Sequence, residues 1–219
     1  MQVKQISDNE LYETQFGYKE QRSNAWFLFV LCLIIWAVAC FRVWWTSNFG
    51  GVVVDGNSMY TTLTDNEKLL MRYVDDKNQA KRGDIIVVYV GNYEECSSVT
   101  SGFIIKRLIA TAGDKVRCEN GEVEICYAGS DTFVPLLEPY AYYGKNEVYK
   151  PSYDFAEYTV GDGEIFFLGD NRSSGVSSVD SRYKEEKSHL QGLYKVGDIY
   201  GTVPAWALKN QKFFDFLFF

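Results

Sequence analysis

Histidine is almost missing from this chain of 219 residues, which holds one, His189. That imidazole lies in the polar run Lys184 to His189 and reads as a solvated surface residue, so a Ser-His-Asp arrangement has no base to draw on. A hydrolytic metal site fares no better, because one His and no CxxC spacing leave only carboxylates as ligands. No metal and no cofactor are expected. Basic residues are also scarce, with 22 Lys and Arg against 29 Asp and Glu and a formal charge of -7. Nucleic acid is therefore excluded as a partner, since phosphate binding needs clustered cations. The four Pro residues all fall after position 134, no segment has linker composition, and no internal repeat is visible. One main domain is the expectation for this length.

The five cysteines divide unevenly: Cys32 and Cys40 sit in an apolar run, and Cys96, Cys118 and Cys126 lie downstream. In a regular hairpin turning at Asn120-Gly121, Cys118 faces Val123, which leaves Cys126 too far along for easy bridging. A disulfide is possible on these spacings but is not predicted; buried free thiols acting as small hydrophobes are the alternative.

What the chain has in abundance is a long hydrophobic run. From Ala25 to Phe41 every residue is apolar, and after Arg42 the pattern resumes through Val43, Trp44 and Trp45. At ~1.5 Å per residue, residues 25–45 cover a hydrocarbon layer of ~30 Å, with Arg42 snorkelling and the tryptophans at the interface. The run follows 24 polar residues, exceeds the usual length of the apolar core of a cleaved leader and has no convincing small-residue exit before Trp44, so it reads as a retained anchor. Lys19 and Arg22 precede it, and no Lys or Arg follows Arg42 until Lys68. The positive-inside rule then places residues 1–24 in the cytoplasm and residues 46–219 outside.

Beyond the anchor, short β-rich runs alternate with turn signals: Val52–Val54, Lys68–Val74, Asp84–Val90, Phe103–Thr111, Lys115–Glu119, Glu122–Tyr127, Glu164–Leu168 and Ile199–Val203. The fold class is mostly β with an N-terminal transmembrane helix. Residues 128–160, rich in Tyr and holding three of the four Pro, read as an irregular insertion. The last seven residues hold five Phe and one Leu, too short to span a bilayer; packing on the core and lying on the membrane are both open.

Two residues carry the chemistry. A β-rich run leads through Asp55-Gly56-Asn57 to Ser58, a serine displayed just after a glycine turn. Such a serine says little alone. Lys106 says more, because strand alternation in Phe103–Ile109 puts it on one face with Ile104 and Leu108. It is then either a strand-end residue snorkelling to water or an amine held where desolvation disfavours the charge and lowers its pKa. A neutral amine of the second kind can take the proton of a serine hydroxyl.

Four boxes in order resemble those of the bacterial type I signal peptidases, over the anchor and most of residues 52–203. Ser58-Met59-Tyr60-Thr61-Thr62-Leu63 is similar to the nucleophile box SMxPTL, and Arg82-Gly83-Asp84-Ile85-Ile86 to RGDIV. Ile105-Lys106-Arg107-Leu108-Ile109, followed by Gly113-Asp114, resembles the base box. Gly169-Asp170-Asn171-Arg172, then Ser178-Val179-Asp180-Ser181-Arg182, is similar to GDNRxxSxDSR.

The resemblance implies a signal-peptidase-type β fold and a membrane-bound serine endopeptidase that removes signal peptides from exported preproteins, with membrane lipid as its setting. It implies Ser58 as nucleophile, Lys106 as base, the Ser58 amide as oxyanion donor and Ser178 as the group that orients the lysine. Asp180 and Arg182, with Arg107 nearby, would brace that region by ion pairs. Thr61 departs from the family's proline, Gly56 lacks the hydroxyl of a second oxyanion donor as in the Gram-positive branch, and three extra residues follow the Gly169 box. That insertion leaves Ser177 or Ser174 as alternatives to Ser178. A second reading is a tethered relative that binds preproteins or assists surface assembly without efficient cleavage. Nothing in the sequence sets the oligomeric state.

Overall fold

The computed structural model describes residues 8–75, 79–93, 96, 99–144, 154–173, 179–181 and 194–209, with side chains from residue 25 onward. Its N-terminal unit is one helix, α1 (Asp8–Asn48), whose stretch Ala25–Asn48 is long and apolar enough to cross a membrane. The apolar side chains point outward all round: Trp26 and Trp36 are each 68% exposed and Val43 67%. A helix that is hydrophobic on every face and buries none of them in protein is suited to lipid.

The second unit, Phe49 to the C-terminus, holds among its described residues ten strands in two antiparallel sheets. The first sheet holds β1 (Phe49–Val53), β2 (Lys68–Tyr73), β3 (Ile85–Tyr89), β4 (Phe103–Thr111), β9 (Ile165–Leu168) and β10 (Ile199–Val203) in the order β1-β2-β10-β3-β4-β9. The second holds β5 (Lys115–Glu119), β6 (Glu122–Cys126), β7 (Val134–Pro135) and β8 (Phe155–Thr159) in the order β7-β6-β5-β8. A short helix, α2 (Ala205–Lys209), follows β10.

Of the strand runs read from sequence, Phe103–Thr111, Lys115–Glu119 and Ile199–Val203 recur with the same bounds and the others with edges trimmed or shifted by one to three residues, most at Val52–Val54, where the strand begins at Phe49. The β5-β6 hairpin turns at Asn120 and Gly121, with φ of 54° and 72°, and pairs Cys118 with Val123 as its turn chemistry dictates. Cys96, Cys118 and Cys126 are buried and form no disulfide. The stretch 128–160, read as an irregular insertion, supplies both edge strands of the second sheet, β7 and β8. Pro135 hides β7 from a sequence reading, yet an edge strand tolerates a missing N–H donor. The Phe-rich tail, residues 213–219, lies outside the described residues.

Three apolar clusters stabilise the unit. Ile109, Val116, Ile125, Phe155 and Phe166 join the two sheets, and Ile86, Val88, Leu108, Phe167 and Tyr194 fill one side of the first. A third cluster matters most to the site: Met59 and Leu63, from the loop after Ser58, pack on Val54, Leu69, Ile85 and Val203. Met59 and Leu63 are essentially fully buried, so they pin the loop that carries Ser58.

Candidate active site

Ser58 sits in a tight turn after β1. Val54 closes the turn by donating its N–H to Glu67 O at 2.8 Å and accepting from Asn66 N at 2.9 Å. Gly56 has φ of +86°, a conformation that favours glycine, and its N–H donates to Asp65 Oδ1 at 2.7 Å. Beyond the serine, Tyr60 N donates to Asn57 O at 3.1 Å and Leu63 N to Met59 O at 2.9 Å. These bonds and the two buried anchors hold the loop although Thr61 stands where the sequence comparison led us to expect proline.

Lys106 reaches this loop from the middle of β4, where it pairs with Ile86 of β3. Its side chain is buried, with 3% of the residue exposed, and Nζ lies 2.6 Å from Ser58 Oγ. An amine so placed, when neutral, is within reach of the hydroxyl proton. Among the described residues no hydrogen-bond acceptor meets the Ser58 backbone N–H, and a backbone donor so placed suits developing negative charge on a substrate oxygen. Gly56 brings no side chain to help.

The other expected groups divide into those brought close and those not described. Asp180 is buried, with 2% exposed, and Ser181 ties its segment to β9, its N–H donating to Phe167 O and its Oγ accepting from Phe167 N, both at 3.0 Å. Ser178, with Ser174 and Ser177, and Arg182 lie outside the described residues, as does His189. Arg107 was expected to brace the region around Asp180. It forms an ion pair with Asp170, Nε to Oδ1 at 2.8 Å and a second guanidinium nitrogen to Oδ2 at 2.6 Å. Arg107 also donates to Gly83 O at 2.8 Å and stacks on the Tyr140 ring at 3.9 Å. Burial, chiefly, pushes the Tyr140 phenol above its usual range, so it stays neutral under that stack.

Sequence reasoning quoted the Gly169 box without giving Asp170 or Asn171 a role, and both prove central. Asp170, fully buried, also accepts the Thr62 hydroxyl at 2.6 Å. Asn171 N donates to Ser58 O at 3.0 Å, and its side-chain amide donates to Asn57 O at 2.9 Å. The box therefore grips the serine loop at three points and the lysine strand through Arg107. Arg172, fully buried, pairs with Glu138 at 2.6 Å and donates its N–H to Tyr142 O at 2.6 Å, tying the box to the segment 138–142. Arg82 chelates the buried Asp114 with contacts of 2.8 to 3.0 Å, joining the second box to the turn after β4. Of these ions only Arg107 carried a signal in sequence, a charge within an otherwise apolar stretch that needs a partner without saying which.

A cleft of about 570 Å³ leads from this pair along the first sheet, between β1 and the start of β4. Val53, Met71, Val87, Ile105 and Val179 are among the residues that line it.

The family described as "Signal peptidase, peptidase S26" matches residues 23–208. A signal peptidase I P of Bacillus subtilis subsp. natto is 35% identical over 159 residues, covering 70% of this chain and 74% of the relative. A signal peptidase I of Bacillus amyloliquefaciens is 33% identical over 151 residues, covering 67% and 74%. A signal peptidase I S of Bacillus subtilis is 32% identical over 156 residues, covering 67% and 75%. With the match reaching from the apolar helix to α2, and so spanning every strand of both sheets, the chain belongs to the signal peptidase family, peptidase S26.

Proposed function

We propose that this protein is a membrane-bound serine endopeptidase that removes signal peptides from exported preproteins, with Ser58 as nucleophile and Lys106 as general base. The observation that carries the catalytic assignment is the 2.6 Å separation of Lys106 Nζ and Ser58 Oγ on a lysine that is 3% exposed. Burial disfavours the ammonium form of an amine, which keeps a lone pair available for the hydroxyl proton. As Ser58 Oγ attacks the scissile carbonyl, its proton passes to Nζ, and the Ser58 N–H donates to the carbonyl oxygen as it gains charge. The lysine then delivers that proton to the departing amine, and a water activated by the same amine frees the leader from Ser58.

Asp170 and Arg107 are positioning residues in this scheme: they fix the serine loop against the lysine strand without touching the reacting atoms. Ser178 is the residue proposed to orient the Lys106 amine, with Asp180 and Arg182 bracing its segment. Residues 25–45 anchor the protein, residues 1–24 face the cytoplasm and residues 46–219 act outside. The basic pair Lys19 and Arg22 and the lack of any Lys or Arg between Arg42 and Lys68 support that orientation. The non-cleaving alternative is not favoured, because the relatives matched are themselves signal peptidases. Incubating the full-length protein in detergent with a preprotein tests the scheme: cleavage is expected from the parent and not from Ser58→Ala or Lys106→Ala. Full cleavage by either variant would overturn it.

A further inference from the structure

Residues 136–142, which follow β7, form a strap that lies on the clasp between the serine loop and the lysine strand. The strap starts on the second sheet, where Leu136 packs on the core cluster shared by both sheets and donates its N–H to Val123 O at 2.8 Å. A turn follows, in which Ala141 N donates to Glu138 O at 3.0 Å. Tyr142 then pairs with Asn171 as an isolated parallel bridge, its N–H donating to Asp170 O at 2.8 Å and its carbonyl accepting from Arg172 N. Backbone bonds therefore fix the strap to the Gly169 box whatever its side chains do.

Those side chains reach both halves of the clasp. Glu138, whose side chain is 6% exposed, takes the buried Arg172 and also accepts the Tyr140 hydroxyl at 3.2 Å. Tyr142 meets Tyr60, two residues after Ser58, edge to face with ring centroids 5.1 Å apart. Tyr140 covers the Arg107 guanidinium, whose central carbon stands 3.9 Å from the ring centroid. The in-plane donors of Arg107 are already engaged, two nitrogens by Asp170 and the third by Gly83 O. Those bonds hold the edges of the guanidinium plane and leave its faces. The Tyr140 ring closes one face, where water would otherwise compete with the carboxylate for the cation.

We infer that Tyr140 is a positioning residue for the reaction: its ring holds Arg107 on Asp170 and so keeps the neighbouring Lys106 at bonding distance from Ser58. The inference rests on the Ser58 and Lys106 reading above. Arg107 and Lys106 are adjacent on β4, and Asp170 joins Arg107 to Thr62 of the serine loop. A guanidinium free to tip on its carboxylate changes the spacing between strand and loop. The 2.6 Å separation of Lys106 Nζ and Ser58 Oγ tolerates little of that, since a misplacement of about 1 Å costs on the order of a hundredfold in rate. Tyr140 itself lies outside the described lining of the cleft, so substrate binding is spared when the ring is lost. A ring that only filled space would be replaceable by an aliphatic side chain; one that holds a cation needs its π face.

The test measures kcat and KM for one preprotein with the full-length protein in detergent, beside the thermal unfolding of each variant. Tyr140→Leu is expected to lower kcat by about ten- to hundredfold and to leave KM within about twofold of the parent. Tyr140→Phe keeps the ring face, loses only the bond to Glu138, and is expected to stay within about threefold of the parent kcat. Should the leucine variant unfold at the assay temperature, Tyr140→Met repeats the experiment with an unbranched side chain and the same expected loss. A folded leucine or methionine variant with the parent's kcat overturns the inference, as does a phenylalanine variant as slow as the leucine one. In an Arg107→Met background the ring has no cation to hold, so adding Tyr140→Leu should change kcat by less than about twofold. A further loss there as large as in the parent overturns the inference in favour of packing alone. Absence of cleavage by the parent, or cleavage that survives Ser58→Ala, would instead overturn the catalytic reading, which keeps the two failures distinct.

Discussion

Asp170 accepts the Thr62 hydroxyl at 2.6 Å while both its oxygens are engaged by Arg107, so one buried carboxylate joins the loop of Ser58 to the strand of Lys106. Removing it leaves the Arg107 guanidinium, buried with it, without its counter-charge. Asp170→Ala is expected to cost about 3–5 kcal/mol, the usual loss when half of a buried pair is deleted. At about 2–4 °C per kcal/mol for a chain of this size, thermal unfolding should fall by at least ~6 °C. Thr62→Val removes one hydrogen bond to a charged group and is expected to cost less, about 1.5–3 kcal/mol. An Asp170→Ala protein as stable as the parent would show that the clasp does not hold the site.

Lys106 offers a sharper test, because charge and geometry can be separated. Lys106→Arg keeps a long cation but never a neutral amine, so it is expected to be as inactive as Lys106→Ala, about 10⁴-fold or more below the parent. Since the base must be neutral, activity falls on the acid side as the amine takes up a proton. The pH profile of kcat/KM should keep that acid limb in His189→Gln. Its disappearance in the His189 variant would move the role of base away from Lys106.

How far these relationships were legible beforehand depended on whether one stretch of chain held the whole signal. The hairpin at Asn120-Gly121 was legible to the register, because two adjacent residues with positive φ dictate it. Lys106 stood out because a charge in an apolar strand is anomalous within five residues of sequence. The Arg107 and Asp170 pair was not legible: the partners are 63 residues apart, and Asp180 was an equally plausible acid until folding chose. Strands β7 and β8 escaped notice for another reason. Val134–Pro135 is too short for alternation to register, and Phe155–Thr159 buries only Phe155 fully, so tertiary pairing with β6 and β5 decides them.

Gly201 carries a packing prediction independent of catalysis. Its alanine variant would need to push Met71 aside and still meet Arg72 O at 2.8 Å, a backbone atom that cannot rotate away. Overpacking of this kind is expected to cost about 1–3 kcal/mol. Trimming the side chain in Gly201→Ala/Met71→Ala should recover little, because the backbone contact remains and a cavity is added. A double variant as stable as Met71→Ala alone would show that the side chain was the sole obstacle.

Glu164 ties acid stability to the end of the core strand β9. It receives the Lys195 amine at 2.7 Å, the Gly161 N–H at 2.9 Å and the Tyr158 hydroxyl. Lys195 first, and then Tyr158, hold its carboxyl down from an ordinary 4.5 to about 2. Because the folded value lies below the unfolded one, the unfolded chain binds more protons between them, and stability rises with pH across that interval. The contribution is therefore complete above about pH 4.5 and is lost as pH falls toward 2. Glu164→Gln is expected to lower stability at neutral pH by about 1.5–3 kcal/mol, the worth of hydrogen bonds to a charged group, and to flatten the decline between pH 4.5 and 2. Urea midpoints measured at steps across that range check both parts. An unchanged slope in the variant would show that Glu164 does not carry the acid sensitivity.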